Sequence, residues 1–180
     1  MRYFIIIKTQ KMNLVRNPLV WLARIRHRKG YGIHSPFAYN LVSQVLYTPG
    51  RYYADRWLDQ LFPRWQHLIH ARRIACHRLL FRLANHWQPD VIKAPAGLLS
   101  QLAYLHAGCN KAKLEACHND IITLTGASGT MFVIYDLQCH RDLWHQVEND
   151  RRTTVTFDLW DMGVAVCDPK LNRQDYIINW

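Results

Sequence analysis

The change from a helical to a strand-like pattern near residue 90 most constrains the fold of this chain. Before it, apolar residues recur at helical spacing, most clearly at 70–87, where one stripe holds Cys76, Leu79, Leu80, Leu83 and Trp87. After it, short apolar runs typical of buried strands lie at 91–92, 121–124, 131–135, 153–159, 163–167 and 176–180, with helices predicted at 98–107 and 141–149. Alternating helices and strands that end in strands joined by short turns predict an α/β fold with an antiparallel edge at the C-terminus.

Charge is divided unevenly between the two halves. Residues 1–90 hold 15 Lys and Arg against 3 Asp and Glu, whereas residues 91–180 hold 8 against 10. This excess suggests nucleic acid as a partner, held by phosphate neutralisation and by stacking on Tyr52, Tyr53, Trp57 and Trp65. The alternative is a solvated basic face on amphipathic helices, with the aromatic side chains in the core. We favour the alternative because the chain has no helix-turn-helix, RNP-type or zinc-finger pattern.

Cysteine usage and the N-terminus bear on the compartment. The five cysteines include no Cys-x-x-Cys pair, and the odd number predicts free thiols in a reducing cytoplasm. The three Cys-His dipeptides lack the ligand spacing of zinc sites, so we expect no metal. The apolar run 3–7 is too short for a signal peptide, and no run approaches the ~20 residues of a membrane span. We therefore expect a cytoplasmic protein, with Met12 as an alternative start.

Three segments together resemble one known family. Residues 30–39 spell Gly-Tyr-Gly-Ile-His-Ser-Pro-Phe-Ala-Tyr, residues 79–89 predict a helix that leads into a strand, and residues 153–180 contain Asp-Leu-Trp-Asp-Met-Gly. They are similar to a group of bacterial class I SAM-dependent methyltransferase-like proteins, which open with a basic helix and a Gly-x-His-Ser-Pro-Phe motif. The resemblance implies a basic helical extension at 1–89. A shortened Rossmann-like methyltransferase core with a C-terminal antiparallel hairpin would follow at 90–180, the two forming one compact unit.

The resemblance also implies a site for S-adenosyl-L-methionine (SAM) at the carboxyl end of the first core strand. The family has an acidic residue there, followed by two glycines that let the backbone approach the ligand. In this chain Lys93 takes the position of the acid, Pro95 and Leu99 replace the glycines, and Gly97 is out of register. The segment 118–130 is also too short for the two βα units that the family places there. We therefore expect SAM binding to be impaired or lost.

Four residues are candidates for contact with the cofactor or the substrate: His34, Ser35, Gly97 and Asp136. Each has a structural alternative. Ser35 can cap a helix with His34 packed nearby, Gly97 can begin a helix, and Asp136 can cap the helix after its strand. A single acid at that strand end is weak support for a divalent cation.

The resemblance thus implies a SAM-dependent methyltransferase-family protein, a degenerate transferase with an unidentified small or macromolecular methyl acceptor. The alternative is a non-catalytic interaction protein that binds nucleic acid through its basic N-terminal half. The sequence identifies no catalytic residue.

Overall fold

A computed structural model of the chain describes residues 1–7, 18–28, 31–50, 52–58, 60, 71–95, 98–117 and 128–180. Its strands are β1 (Tyr3–Ile7), β2 (Val91–Pro95), β3 (Lys113–Cys117), β4 (Thr130–Tyr135), β5 (Val155–Asp158), β6 (Met162–Cys167) and β7 (Gln174–Ile177). Its α-helices are α1 (Pro18–Ala23), α2 (Pro36–Leu41), α3 (Tyr53–Leu58), α4 (Ala71–Trp87), α5 (Leu99–Gly108) and α6 (Arg141–Asn149). The strand predicted at 121–124, the aromatic residue Trp65 and the candidate Gly97 lie outside the described residues.

The strands form one seven-stranded mixed sheet in the order β3-β2-β1-β4-β6-β5-β7. Strands β3, β2, β1 and β4 are parallel, β6 is antiparallel to both β4 and β5, and β7 is parallel to β5. The predicted α/β class is confirmed, and a mixed sheet with helices is consistent with a Rossmann-like fold. The reversed strand lies inside the sheet rather than at its edge, because the last strand adds to β5 in the parallel direction.

Strand β1 was not predicted, although it lies at the centre of the sheet. Tyr3 is in register with Val91 on one side and with Thr130 on the other. Phe4 and Ile6 are fully buried, while the alternate residues of the strand are half-buried. A run of aromatic and β-branched residues suits a strand, but nothing local to it shows which strands it will pair with. The N-terminus therefore joins the same sheet as residues 91–177.

The helices cover the two faces of this sheet. Helix α4 agrees with the predicted 70–87 segment and packs along α5, burying the stripe of Cys76, Leu79, Leu80 and Leu83. Helix α6 has the predicted bounds and places Trp144 and Val147 against Phe132 and Ile134. None of the described helices is long and apolar enough to cross a membrane.

Candidate functional site

The carboxyl ends of β1 and β4 meet where the chain order of the parallel strands reverses. The chain passes from β1 to β2 to β3 on one side, and β4 begins the other side of the sheet. Open α/β sheets bind their ligands in the crevice at such a reversal, outside the carboxyl ends of the strands. The residue that directly follows β4 is Asp136, so the sequence and the topology select the same carboxylate.

Asp136 has an unusual backbone and an unpaired side-chain oxygen. Its φ of 53° and ψ of 52° are left-handed, a conformation that non-glycine residues rarely adopt. The residue is only 5% exposed, and its Oδ2 has no hydrogen-bond partner among the described residues. It precedes the 3-10 turn Leu137–His140, but its side chain does not cap that turn, so the capping alternative is wrong. A buried carboxylate oxygen without a partner is costly unless a ligand or water supplies a donor.

Cys139 lies beside this carboxylate on the surface. The negative charge of Asp136 raises the pKa of the Cys139 thiol, and a side-chain hydrogen bond between the two acts in the same direction. Since the thiolate is the reactive form of cysteine, a raised pKa keeps this exposed thiol protonated and poorly nucleophilic. The pair therefore does not have the electrostatics of an activated cysteine.

The other two described candidates, His34 and Ser35, lie at the start of helix α2. The Ser35 Oγ accepts a hydrogen bond from the Ala38 N–H at 3.3 Å, which confirms the helix-capping alternative, and His34 is exposed. The Ser35 backbone also hydrogen-bonds Tyr176 of β7. Strand β7 is three positions from β4, or about 14 Å at the usual strand spacing. The structure therefore does not bring His34 and Ser35 together with Asp136.

Lys93, at the position where the resemblance implies an acid, lies in the middle of β2 rather than at its carboxyl end. Its Nζ is 3.7 Å from Glu115 Oε2 on β3 and 5.5 Å from the centre of the Tyr3 ring on β1. The cation is thus paired across neighbouring strands. Strand β2 ends at Pro95 and carries no carboxylate along its length.

A second group of charged residues lies at the carboxyl end of β5 and was missed by the sequence analysis. Asp158 accepts hydrogen bonds from Arg24 Nη1 at 2.9 Å, Arg24 Nη2 at 3.1 Å and Arg141 Nη1 at 2.6 Å. It also accepts one from the Trp160 backbone N–H at 2.8 Å. Burial alone would raise the pKa of Asp158, but the hydrogen bonds from both arginines and from Trp160 outweigh it and lower the pKa.

The next acid along the turn has a comparable arrangement. Arg72 of α4 pairs with Asp161 and stacks over the Trp180 ring, with 4.4 Å between the guanidinium carbon and the ring centre. Arg24 lies 4.9 Å from the centre of the Trp160 ring. Two arginines of the basic half therefore bind two aspartates of the acidic half. Some of the basic residues of the N-terminal half are therefore neutralised by acidic residues of the same chain, which leaves less cationic surface for an external anion.

Among the described residues, no three His, Cys, Asp or Glu side chains are placed to hold a metal ion. Comparison of the chain with family models, curated proteins and solved structures found no match. The candidate site therefore depends on its own geometry and on the resemblance carried by the sequence motifs.

Proposed function

We propose that this chain is a SAM-dependent methyltransferase-family protein whose cofactor binding is weakened. The observation that carries the proposal is Asp136, a buried carboxylate at the reversal point of the sheet whose Oδ2 has no hydrogen-bond partner in the described part of the chain. A ligand hydroxyl or ammonium group there would supply the donor that this oxygen lacks, and SAM carries both. The motif resemblance at residues 30–39 and 153–180 supports this assignment of the ligand.

We expect weak SAM binding because of the sequence of strand β2. Strand Val91–Pro95 carries no acid, so the ammonium group of the methionine moiety would find no carboxylate partner on that strand. Asp158 and Asp161 are already bound by arginines and cannot substitute for the acid. The fit of the described residues to SAM is therefore partial, with one anchoring carboxylate.

Bound SAM supplies a methyl group on a sulfonium that an acceptor nucleophile can take directly. The contribution of the chain is then to orient the ligand and to exclude water, rather than to donate or remove protons. In this proposal Asp136 holds the ligand through the free oxygen, and its rigid left-handed backbone fixes the direction of the carboxylate.

Isothermal titration calorimetry with SAM and with S-adenosylhomocysteine tests the proposal. We expect a Kd above 100 µM and below 1 mM, on the order of a 10²-fold loss against a micromolar site, because the strand acid is missing. The substitution Asp136→Asn should weaken binding at least tenfold, whereas Asp150→Asn, at a surface ion pair, should leave the Kd unchanged. The absence of heat at 1 mM with either ligand would show that the chain does not bind the cofactor. A Kd near 1 µM would show that its binding is not weakened.

The alternative, a non-catalytic protein that binds nucleic acid, is favoured by one surface. Helix α3 buries Asp55 and Leu58 but leaves Tyr53 88% and Trp57 46% exposed, with Arg56 exposed between them. Exposed aromatic rings beside a cation suit base stacking and phosphate contact. Fluorescence anisotropy with single-stranded DNA and RNA at 50 and 200 mM salt tests this surface. Binding that is lost in Trp57→Ala would support the alternative, and no binding at low salt would overturn it.

A further inference from the structure

The outer edge of β7 forms one wall of an open groove. The groove has a volume of about 410 Å³, which lies within the range of ligand-binding clefts. Its opposite wall is formed by Arg26, His27, Tyr31, Gly32 and Ile33. At Gly32, where φ is +79°, no heavy atom lies within 4 Å of the position that a Cβ would take, so the groove is open at this point.

The backbone of β7 presents hydrogen-bonding groups to this groove. Gln174 and Ile178 donate their N–H groups to β5, to the carbonyls of Thr154 and Asp158. Because backbone groups alternate in direction along a strand, the N–H and C=O of Asp175 and Ile177 point away from β5. No hydrogen bond joins these outward groups to another residue in the described part of the chain. Just beyond the strand, Asn179 N–H donates to His27 O at 2.9 Å, so His27 contacts this edge directly.

The side chains along the groove determine which kind of chain could occupy it. Arg26 and His27 are exposed on one wall, and the carboxylate of Asp175 accepts a hydrogen bond from Thr156 Oγ1 at 2.7 Å. Tyr31 is 86% exposed and Ile177 is 46% exposed, which adds apolar area to both walls. The groove thus combines backbone hydrogen-bonding groups that have no partner in the described part of the chain, the cationic side chain of Arg26 and exposed apolar surface.

We propose that this groove binds an extended acidic peptide segment of a partner protein, which adds to β7 as an eighth strand. Addition at a sheet edge derives its affinity from main-chain hydrogen bonds and its specificity from the side chains beside the edge. The peptide would satisfy the outward groups of Asp175 and Ile177. Its acidic side chains would pair with Arg26. This surface is separate from the crevice at Asp136, so the proposal stands whether or not SAM binds.

A fluorescein-labelled decapeptide of alternating Val and Glu is the probe, with fluorescence anisotropy as the readout. We expect saturable binding, and at least tenfold weaker binding of the same peptide with Lys in place of Glu. Two N-methylated forms of the peptide are compared, one methylated at the odd-numbered nitrogens and the other at the even-numbered nitrogens. Only one of these sets of N–H groups faces β7, so only that form should bind at least tenfold more weakly. Failure of the acidic peptide to bind at 1 mM would overturn the proposal, as would equal binding of the Lys peptide or of both N-methylated forms.

Variants of the chain separate strand addition from simple charge attraction. Ile177→Pro removes an outward N–H and leaves the bonds to β5 in place, because proline is tolerated on edge strands; we expect a tenfold or larger loss. Arg26→Glu should lose binding similarly, whereas Arg56→Glu on the distant helix α3 makes the same charge change and should not. The proposal would be wrong if Arg26→Glu and Arg56→Glu lost the same peptide affinity. It would also be wrong if neither Ile177→Pro nor Arg26→Glu lost affinity. If Ile177→Pro does not fold, the N-methyl peptides still measure the same hydrogen bonds.

Light scattering tests the competing occupant, a second copy of the chain. A dimer that Ile177→Pro converts to monomer would assign the edge to self-association and overturn the peptide proposal. A monomer with an intact peptide affinity would support it.

Discussion

Arg24 and Asp158 lie 134 positions apart in the sequence and form a two-point ion pair, with Nη1–Oδ1 at 2.9 Å and Nη2–Oδ2 at 3.1 Å. The pair joins the residue after α1 to the carboxyl end of β5. Their side chains are 13% and 9% exposed, so little solvent screens the interaction. Paired geometry of this kind is the strong form of an Arg–carboxylate contact. Helix α1 itself buries no residue, so this charge pair is a main contact that holds the segment on the sheet.

Removal of the Asp158 carboxylate should therefore lower the free energy of unfolding. Asp158→Ala leaves Arg24 and Arg141 without their common partner, and loss of one member of a buried pair typically costs about 3 kcal/mol. Urea denaturation of the variant and the wild type measures the difference in the free energy of unfolding. Arg152→Ala, which breaks an ion pair at the surface, is the control and should not shift the midpoint measurably. An equal effect of the two substitutions would contradict the buried character of the first pair.

The same carboxylate makes stability depend on pH. Its pKa in the folded protein is lower than in the unfolded chain, so its contribution is fully present above the unfolded value. The contribution is lost as the pH falls through the folded pKa, because protonation weakens both arginine contacts. We expect the urea midpoint of the wild type to fall more steeply than that of Asp158→Asn as the pH is lowered below about 4, the usual pKa of an unfolded Asp. Parallel curves for the two proteins would show that Asp158 does not contribute to the acid transition.

Local periodicity was sufficient to predict the helices and strands that bury one continuous stripe or run of apolar residues. Helices α4 and α6 and strand β4 have bounds within one residue of those predicted, since 3.6-residue spacing and unbroken apolar runs are local signals. Strand β1 has an equally apolar sequence, but its role depends on pairing with β2 and β4, which lie about 90 and 130 residues away. Sequence periodicity carries no information on such partners, so the centre of the sheet could not be predicted.

A truncation and a substitution test the central place of β1. A chain that begins at Met12 lacks the strand between β2 and β4, and we expect it to be insoluble or to lose its cooperative thermal transition. Phe4→Ala removes a fully buried ring from the same strand and should cost about 3–5 kcal/mol in the free energy of unfolding.

Circular dichroism and urea denaturation measure both effects. Tyr3→Ala, at a half-buried position of the same strand, is the matched control and should cost clearly less than Phe4→Ala. A soluble chain from Met12 with the wild-type transition would show that the sheet closes without β1.

The candidate site, like the fold, could be predicted only where a local sequence signal marks it. Asp136 follows a recognisable buried strand, so its place at a strand end could be inferred from the sequence. Its missing partner and left-handed backbone could not, since these depend on the surrounding packing. The contacts of Asp158 with Arg24 and Arg141 cross the whole chain and have no sequence spacing that would indicate them.

The proximity of Asp136 and Cys139 can be measured by thiol chemistry. The carboxylate raises the pKa of Cys139, so Asp136→Asn should lower that pKa and increase the rate of alkylation by iodoacetamide at pH 7.5. Cys76, Cys109 and Cys167 are buried, and burial raises the pKa of Cys76 to about 12, so they should react slowly in the folded protein. Mass spectrometry of the tryptic peptides assigns the modified residue. An unchanged rate at Cys139 would contradict the electrostatic contact.

Gly108 permits the close contact between α4 and α5. A Cβ at this position would lie inside contact distance of the Phe81 carbonyl oxygen and 3.1 Å from both the Ala84 Cβ and the Asn85 nitrogen. Two of these atoms belong to the backbone of α4, so the contact cannot be relieved by a side-chain rotation. We expect Gly108→Ala to destabilise the protein by about 1–3 kcal/mol, the usual cost of overpacking, although alanine is the better helix former.

Gly50→Ala is the control for this substitution. No heavy atom lies within 4 Å of its Cβ position, and its φ is not in the left-handed region. Alanine there restricts the unfolded chain and should stabilise the protein by about 0.4–1 kcal/mol. Thermal and urea denaturation of the two variants should therefore give changes of opposite sign. A stabilising effect of Gly108→Ala would mean that α4 and α5 can move apart at no cost, which would contradict their close packing at Gly108.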